Sequence, residues 1–426
     1  MHGKKSSMVA VAALFVIFAA CLMVPPLAVG QLKVLYAFTG GTDGGELYGG
    51  LIFDKAGNLY STTHDGGIPT YGYGTAFSLA PNPNGTWTET VLHDFQEPKY
   101  IDTDGLNPQA GLISDSAGNL YGTTYYGGAP YDAGTVFELT PNGNGQFTET
   151  LLYAFDGLHG GYPQASLIFD SAGNLYGTTY GVEGYCGTVF KLSPGPDGQW
   201  TETVLHDFRK PLLKPNGGCH PSGNLVFDSA GNLYSTTWNG GANVNFGCVF
   251  KLAPQANGVW NETVIHSFGV SGGSTPFSGL VIDAKGNLYG TASGGGNESC
   301  EFGCGNVFKL TPGANGKWTE TVLHSFNFLD GGSPYASLIF DSAGNLYGTT
   351  AWGGNPSCSG GCGVIFKLVP GENGQWTETV LHYFDGLDGW SPWSNLIFDA
   401  AGNLYGTTLA GGAANLCCGV AFELTP

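Results

Sequence analysis

Short apolar stretches follow one another along the chain from about residue 31 onward, each bounded by Gly, Pro, Asn or Asp. The stretch from 166 to 208 shows the pattern: SLIFD at 166–170, NLYGTT at 174–179, GTVFKLSP at 187–194 and WTETVLHDF at 200–208. These pieces are five to nine residues long and rich in β-branched and aromatic side chains, the signature of short strands separated by tight turns. No segment carries the 3.6-residue apolar period of a helix. The four-strand set then repeats. Gly-Asn-Leu-Tyr occurs seven times, ending at Tyr60, Tyr121, Tyr176, Tyr234, Tyr289, Tyr347 and Tyr405, with spacings of 61, 55, 58, 55, 58 and 58 residues.

Four strands at a fixed period point to a β-propeller or a β-solenoid. The two ends of the repeat array choose between them. The last unit stops at 421–426 without its fourth strand, whereas Val34-Leu35-Tyr36-Ala37-Phe38 copies that fourth strand with no partners before it. A ring gains from this offset because the N-terminal strand completes the last blade and hides both edges; an open solenoid gains nothing. The sequence therefore predicts an all-β, seven-bladed β-propeller of four-stranded blades over residues 31–426, closed by its N-terminal strand.

Most polar repeats read as structural. Asp54, Asp115, Asp170, Asp228, Asp283, Asp341 and Asp399 each open an Asp-x-x-Gly-Asn link between the first two strands, where the carboxylate accepts backbone N–H groups and Gly supplies a positive φ. His93, His206, His266, His324 and His382 occupy one equivalent position, and five copies cannot all be one active site. Lys191 with Glu202, and the corresponding pairs Lys251 with Glu262, Lys309 with Glu320 and Lys367 with Glu378, recur eleven residues apart and are expected to be cross-strand ion pairs.

Loop lengths separate the two faces of the disc. The first turn and the third-to-fourth hairpin hardly vary. The second-to-third loop (179 to 187 in one unit, 350 to 363 in another) and the link to the next blade do vary, and both lie on the same face. The non-repeat aromatic residues fall there: Trp238, Trp352, Trp390 and Trp393, with Tyr125, Tyr126 and Tyr180. So do His64, His159 and His220. Asp43, Asp104, Asp330 and Asp388 share a position in the links and could form an acidic rim at the channel mouth, or simply make Asp-Gly turns. All nine cysteines beyond residue 30 lie in or beside these loops. Cys300 with Cys304 and Cys358 with Cys362 have a local spacing for which disulfides are favoured over zinc in an oxidising setting. The pairing of Cys186, Cys219, Cys248, Cys417 and Cys418 stays open.

The unit LIFDSAGNLYGTT, GTVFKLTP, WTETVLH resembles the GloVer tandem repeat of choice-of-anchor bacterial proteins over essentially the whole chain after residue 30, and is also similar to NHL-type propeller units. The resemblance implies an exported protein and carries no defined activity. Export agrees with the N-terminus: Lys4 and Lys5, an apolar run from 8 to 24, then Ala28-Val29-Gly30, a secretory signal expected to be cleaved before Gln31.

Composition narrows function further. With 14 Lys plus Arg against 33 Asp plus Glu in 426 residues, and Arg209 the lone arginine, nothing can cluster enough positive charge for a nucleic acid. No segment beyond the signal is apolar enough to span a membrane. Two classes of function remain. The first is a secreted or cell-surface binding or scaffold module, monomeric and without cofactor, whose partner is an extracellular glycan or protein. Its contacts would come from Tyr125, Tyr180, Trp238, Trp352, Trp390 and Trp393 with Asp43, Asp104, Asp330 and Asp388. The second is a metal-assisted lyase or lactonase at the channel mouth using His64, His159 or His220. The only Gly-x-Ser-x-Gly match, at 269–273, has no following helix and is not a nucleophile elbow.

Overall fold

The computed structural model describes residues 30–68, 72–96, 104–143, 145–182, 184–208, 217–242, 246–269, 272–296, 300, 303–412 and 417–426, so the segment expected to be a signal lies outside the described residues except for Gly30. The architecture is the predicted one: seven four-stranded antiparallel blades form a seven-bladed β-propeller. Blade 3 is representative, with strands Ile168–Phe169, Leu175–Thr179, Thr188–Pro194 and Trp200–Asp207 ordered from the axis outward. No helix among the described residues is long and apolar enough to cross a membrane.

The ring closes as the offset of the two ends predicts. Gln31–Ala37 pairs antiparallel with Val420–Thr425, from Gln31 opposite Thr425 to Ala37 opposite Val420, and becomes the outermost strand of blade 7. Thr407 Oγ1 then donates to Gly49 O at 3.1 Å, joining blade 7 to blade 1. Equivalent threonines bridge other seams, among them Thr62 to Ala110 O and Thr236 to Ser278 O.

The core sits between blades. The phenylalanine of each third strand is fully buried and meets, edge to face, a phenylalanine that follows the outermost strand of the preceding blade. Seven such pairs, from Phe38–Phe77 to Phe384–Phe422, have ring centroids 4.9 to 5.4 Å apart. The glycine of Leu-Tyr-Gly makes room for them. A Cβ on Gly177 would lie 2.6 Å from the Phe190 ring.

The register overturns the expected lysine–glutamate ion pairs. Lys191 lies opposite Thr203, while Glu202 lies opposite Leu192, so the two side chains leave the hairpin on opposite faces. The other three pairs are offset in the same way. The lysines cap tyrosine rings instead, as with Lys191 Nζ 5.8 Å from the Tyr176 centroid. The glutamates turn into the seams toward the outer-strand histidine or tyrosine of the preceding blade: Glu262 lies 3.6 Å from His206, Glu320 lies 3.6 Å from His266, and Glu202 accepts from Tyr153. At the seam between blades 6 and 7 the position belongs to Leu32.

Burial pushes the carboxyls of Glu89, Glu202, Glu320 and Glu378 up to about 7. The native state therefore holds protons that the unfolded chain has released. This contribution to stability is complete below the unfolded glutamate pKa and disappears as pH rises through about 7. Burial lowers His266 to about 4, which costs stability as pH falls from 6.5 toward 4. Hydrogen bonds hold the turn carboxylates such as Asp170 and Asp228 low, so those turns weaken only in stronger acid. Four glutamates outweigh the two histidines that burial lowers, His266 and His220, and the melting temperature is expected to be highest at mildly acidic pH and to fall between pH 5 and 8. A variant with all four glutamates changed to Gln should lose most of that fall in a calorimetric pH series.

Four disulfides secure the variable loops. Cys300–Cys304 and Cys358–Cys362 form as the spacing suggests, Cys417 pairs with its neighbour Cys418, and Cys186–Cys219 ties a blade 3 loop to the link entering blade 4. Cys248 is a free, buried cysteine whose thiol is pushed up to about 12 by burial. A chain beginning at Gln31 should therefore show no reactive thiol when native and one per chain when unfolded without reductant, countable with a thiol reagent. Deleting residues 31–38 strips blade 7 of its outer strand and the Phe38–Phe77 pair, and thermal melts should show the whole ring destabilised. An unchanged melting temperature would contradict closure by this strand.

Candidate functional site

Seven links bring the chain back from the outermost strand of one blade to the axis, and the residues just before each innermost strand define the channel. The residue six positions before the turn aspartate is Tyr48, Gln109, Gln164, Ser222, Phe277, Tyr335 or Trp393, one from each blade. All seven line a central cavity of about 280 Å³. Two positions further along, Gly50, Gly111, Ser166, Asn224, Gly279, Ser337 and Asn395 line it too. Small residues stand between these positions because neighbouring blades almost touch at the axis: a Cβ on Gly49 would lie 2.9 Å from the Gly111 nitrogen.

The lining is divided. Blades 5, 6, 7 and 1 contribute aromatic rings. Trp393 stacks on Tyr335 with centroids 4.2 Å apart and meets Tyr48 and Phe277 edge-on at 5.5 and 6.1 Å. Blades 2, 3 and 4 contribute amides and a hydroxyl. Among the described residues no charged side chain lines the cavity, although the chain carries a net charge of −19. Burial raises the Tyr48 phenol to about 12, so it stays a hydrogen-bond donor at neutral pH. Three polar atoms on the wall, Gln164 Oε1, Ser222 Oγ and Ser337 Oγ, are buried and have no hydrogen-bond partner. Ser222 is 5% exposed and Ser337 8%. Orphan polar atoms in a cavity are costly until a ligand or water satisfies them.

A second tier surrounds the mouth. Eight positions before each turn aspartate stand Glu46, Asn107, Tyr162, His220, Thr275, Ser333 and Ser391, all with φ between 50° and 59°. None is glycine, and left-handed backbone at such residues is unfavourable unless neighbours impose it. Here each N–H donates to a loop carbonyl of the preceding blade, from Cys418 for Glu46 round to Cys362 for Ser391. These clips hold the mouth rigid while their side chains vary freely.

Of the aromatic residues expected at the site, Trp393 belongs to the channel ring, and Tyr125 and Tyr180 pack against the second tier. Tyr125 stacks on Tyr162 at 5.0 Å. Tyr180 stacks on His220 at 4.3 Å and tilts against Trp238. Trp238 and Trp352 are each 37% exposed. Trp390 is half-buried, with its indole N–H unpartnered. Trp393 alone of the expected set reaches the channel. Tyr48, Gln109, Gln164, Ser222, Phe277 and Tyr335 went unforeseen, although comparing the seven units at that one position reveals it.

The aspartates do not line the channel. Asp43 is buried and accepts from Thr39 N and Tyr36 Oη. Asp104, Asp330 and Asp388 lie 3.3, 3.3 and 2.7 Å from the outer-strand histidines His93, His324 and His382. Backbone N–H groups of Gly105, Asn327 and Asp385 complete them, which is the turn arrangement rather than a rim. The three candidate histidines separate as well. His159 is exposed and bonds Asp156. His220 is kept neutral by burial beside the Cys186–Cys219 disulfide. His64 stands edge-on to Tyr48, with Asp65 at 2.7 Å and Glu46 at 4.0 Å, a group of three that could hold a metal ion. Of the Gly-x-Ser-x-Gly segment, Val270 and Ser271 lie outside the described residues.

Among solved structures, the fold is similar to PorZ, described as an essential surface component of the type-IX secretion system of Porphyromonas gingivalis. The TM-score is 0.51 at 13% identity, over 89% of this chain and 46% of PorZ, so this chain spans about half the length of that protein. It is also similar to luciferin-regenerating enzyme, with a TM-score of 0.42 at 14% identity, over 74% of this chain and 90% of that one. No curated protein matches the sequence. The Gloeobacter/Verrucomicrobia repeat model matches residues 25–211, 150–302, 183–374 and 296–426, and with four overlapping matches from residue 25 to the last the chain belongs to that repeat family.

Proposed function

We propose that this protein is an exported binding module that receives an uncharged glycan at the mouth of its central channel. The observation that carries the reading is the divided, charge-free lining, with rings on one side and unpartnered Gln164, Ser222 and Ser337 atoms on the other. A sugar presents the same division, an apolar C–H face and a rim of hydroxyls, so aromatic faces and amides are complementary to it. The second tier around Tyr125, Tyr180 and Trp238 extends this surface outward for further residues of a chain. Disulfides suit the oxidising environment outside the cell, in keeping with the surface placement of PorZ. The protein closes its own ring, so it acts as a monomer in this reading.

A second reading, a metal-assisted lyase or lactonase, rests on the His64, Asp65 and Glu46 group beside Tyr48. Bound metal would polarise a substrate carbonyl there.

A glycan array followed by calorimetry decides between them. Trp393→Ala is expected to weaken the best neutral glycan by about 2 kcal/mol, roughly thirtyfold, as for a central aromatic anchor. Gln164→Ala should weaken it too, and both variants should keep the circular dichroism spectrum of the parent. No binding to any glycan, together with one tightly bound metal per chain whose loss follows His64→Ala, would reverse the choice.

A further inference from the structure

The internal repeat poses one packing problem seven times, and one copy is solved differently. The tyrosine ending each Gly-Asn-Leu-Tyr stands at a blade seam. In six copies it is only 4 to 6% exposed. Three kinds of neighbour cover it. In five of them a phenylalanine from the innermost strand of the next blade stands edge-on, as Phe169 does against Tyr121 at 5.2 Å and Phe227 against Tyr176 at 5.1 Å, while at Tyr234 that place belongs to Ile282. In four of them a tryptophan from the next outer strand closes the far side, as Trp200 does at 6.4 Å and Trp260 at 6.5 Å. In four blades a lysine of the adjacent strand lies over the ring.

At Tyr60 all three are replaced at once. The edge-on phenylalanine is Ser114, the tryptophan is Phe147, and the lysine is Ser78, which pairs with Tyr60 across the sheet. Tyr60 is accordingly the one repeat tyrosine that is not buried. The missing bulk opens a cleft of about 610 Å³ between blades 1 and 2, walled by Ile52, Phe53, Tyr60, Leu120, Pro141 and Phe147. That volume is within the range of small-molecule sites. The cleft opens beside the two Asp-x-x-Gly-Asn turns, on the face opposite the variable loops. Its two aspartates are spoken for: Asp54 accepts from Ala56 N, Asn58 and Tyr60, and Asp115 from Ala117 N, Asn119 and Tyr121. What the cleft offers a ligand is therefore chiefly apolar wall and the uncovered Tyr60 ring.

We infer that the cleft between blades 1 and 2 is a binding site for an aromatic ring, which stands edge-on to Tyr60 where the sibling seams place a phenylalanine. The seams at Tyr121 and Tyr176 are its template, since they show the same tyrosine satisfied by a phenyl group in that geometry. Edge-to-face pairing prefers an aromatic ring to an aliphatic one of equal size. The site is independent of the channel mouth and stands or falls separately from the glycan reading.

The test uses the chain from Gln31 onward and four probes: p-cresol, its saturated analogue 4-methylcyclohexanol, a pentapeptide with a single central Phe, and its Leu counterpart. Calorimetry or ligand-observed NMR is expected to show one saturable site for p-cresol, at least tenfold weaker binding of 4-methylcyclohexanol, and the same preference for Phe over Leu in the peptides. Ser114→Phe restores the repeat residue, so it should raise the melting temperature and cut p-cresol binding at least tenfold. Phe147→Trp fills the cleft from the other side and should weaken binding likewise if Ser114→Phe folds poorly. Trp393→Ala should leave it unchanged. Tighter binding of the Phe peptide than of p-cresol identifies a partner polypeptide as the source of the ring; the reverse identifies a free aromatic compound. Absence of saturable p-cresol binding, or binding that survives both filling substitutions, overturns the proposal and leaves the cleft a packing defect.

Discussion

The phenylalanine pair that crosses each seam is the contact on which the rest of this molecule depends. A four-stranded blade has two faces and cannot bury either alone. Here the blade's own third-strand phenylalanine, Phe190 for example, is covered by Phe155 from the blade before it. Every core residue is thus shared between repeats, and the hydrophobic clusters each draw on adjacent blades. Stability that resides at seams requires that the last seam be made. The strand Gln31–Ala37 and the following Phe38 make it, which is why the repeat array is circularly offset.

The same dependence explains what the outer rim tolerates. Glu89, Glu202, Glu320 and Glu378, directed into the seams, lose solvent, and burial raises their carboxyls to about 7. A buried carboxylate without a partner is unfavourable, while a protonated one is a neutral hydrogen-bonding group beside histidine or tyrosine. The fold therefore ties its stability to mild acidity through a feature repeated around the ring, and Leu32 spares the closing seam that arrangement.

Near the axis the constraint relaxes in a regular way. Glycines and serines at the narrow approach are fixed by backbone contacts, and the left-handed clips are fixed by hydrogen bonds to the preceding blade. Side chains projecting from between them meet the channel and one another. Positions such as Gln109, Phe277 and Trp393 can differ because they stand outside the packed seams, and a divided lining can arise there at little cost to the fold. The cleft at Tyr60 is the complementary case, in which positions normally dictated by packing have been released in one blade and a cavity results.

Strand number, blade count, ring closure and the two faces were legible in the sequence because they follow from local pattern and from repetition, both properties of the chain itself. The local disulfides Cys300–Cys304 and Cys358–Cys362 were legible for the same reason, since four residues separate the partners. Side-chain direction was not. Lys191 and Glu202 keep a constant spacing, yet a single step of register sends them to opposite faces, and the turn that sets Pro194 opposite Trp200 decides that step. Asp104 and Asp388 read equally well as rim or turn until the outer-strand histidines were brought beside them. The channel ring is the sharpest instance. Its members stand 55 to 61 residues apart in sequence and become neighbours only when seven blades converge on one axis, so their shared cavity is a property of the closed ring and of no segment within it.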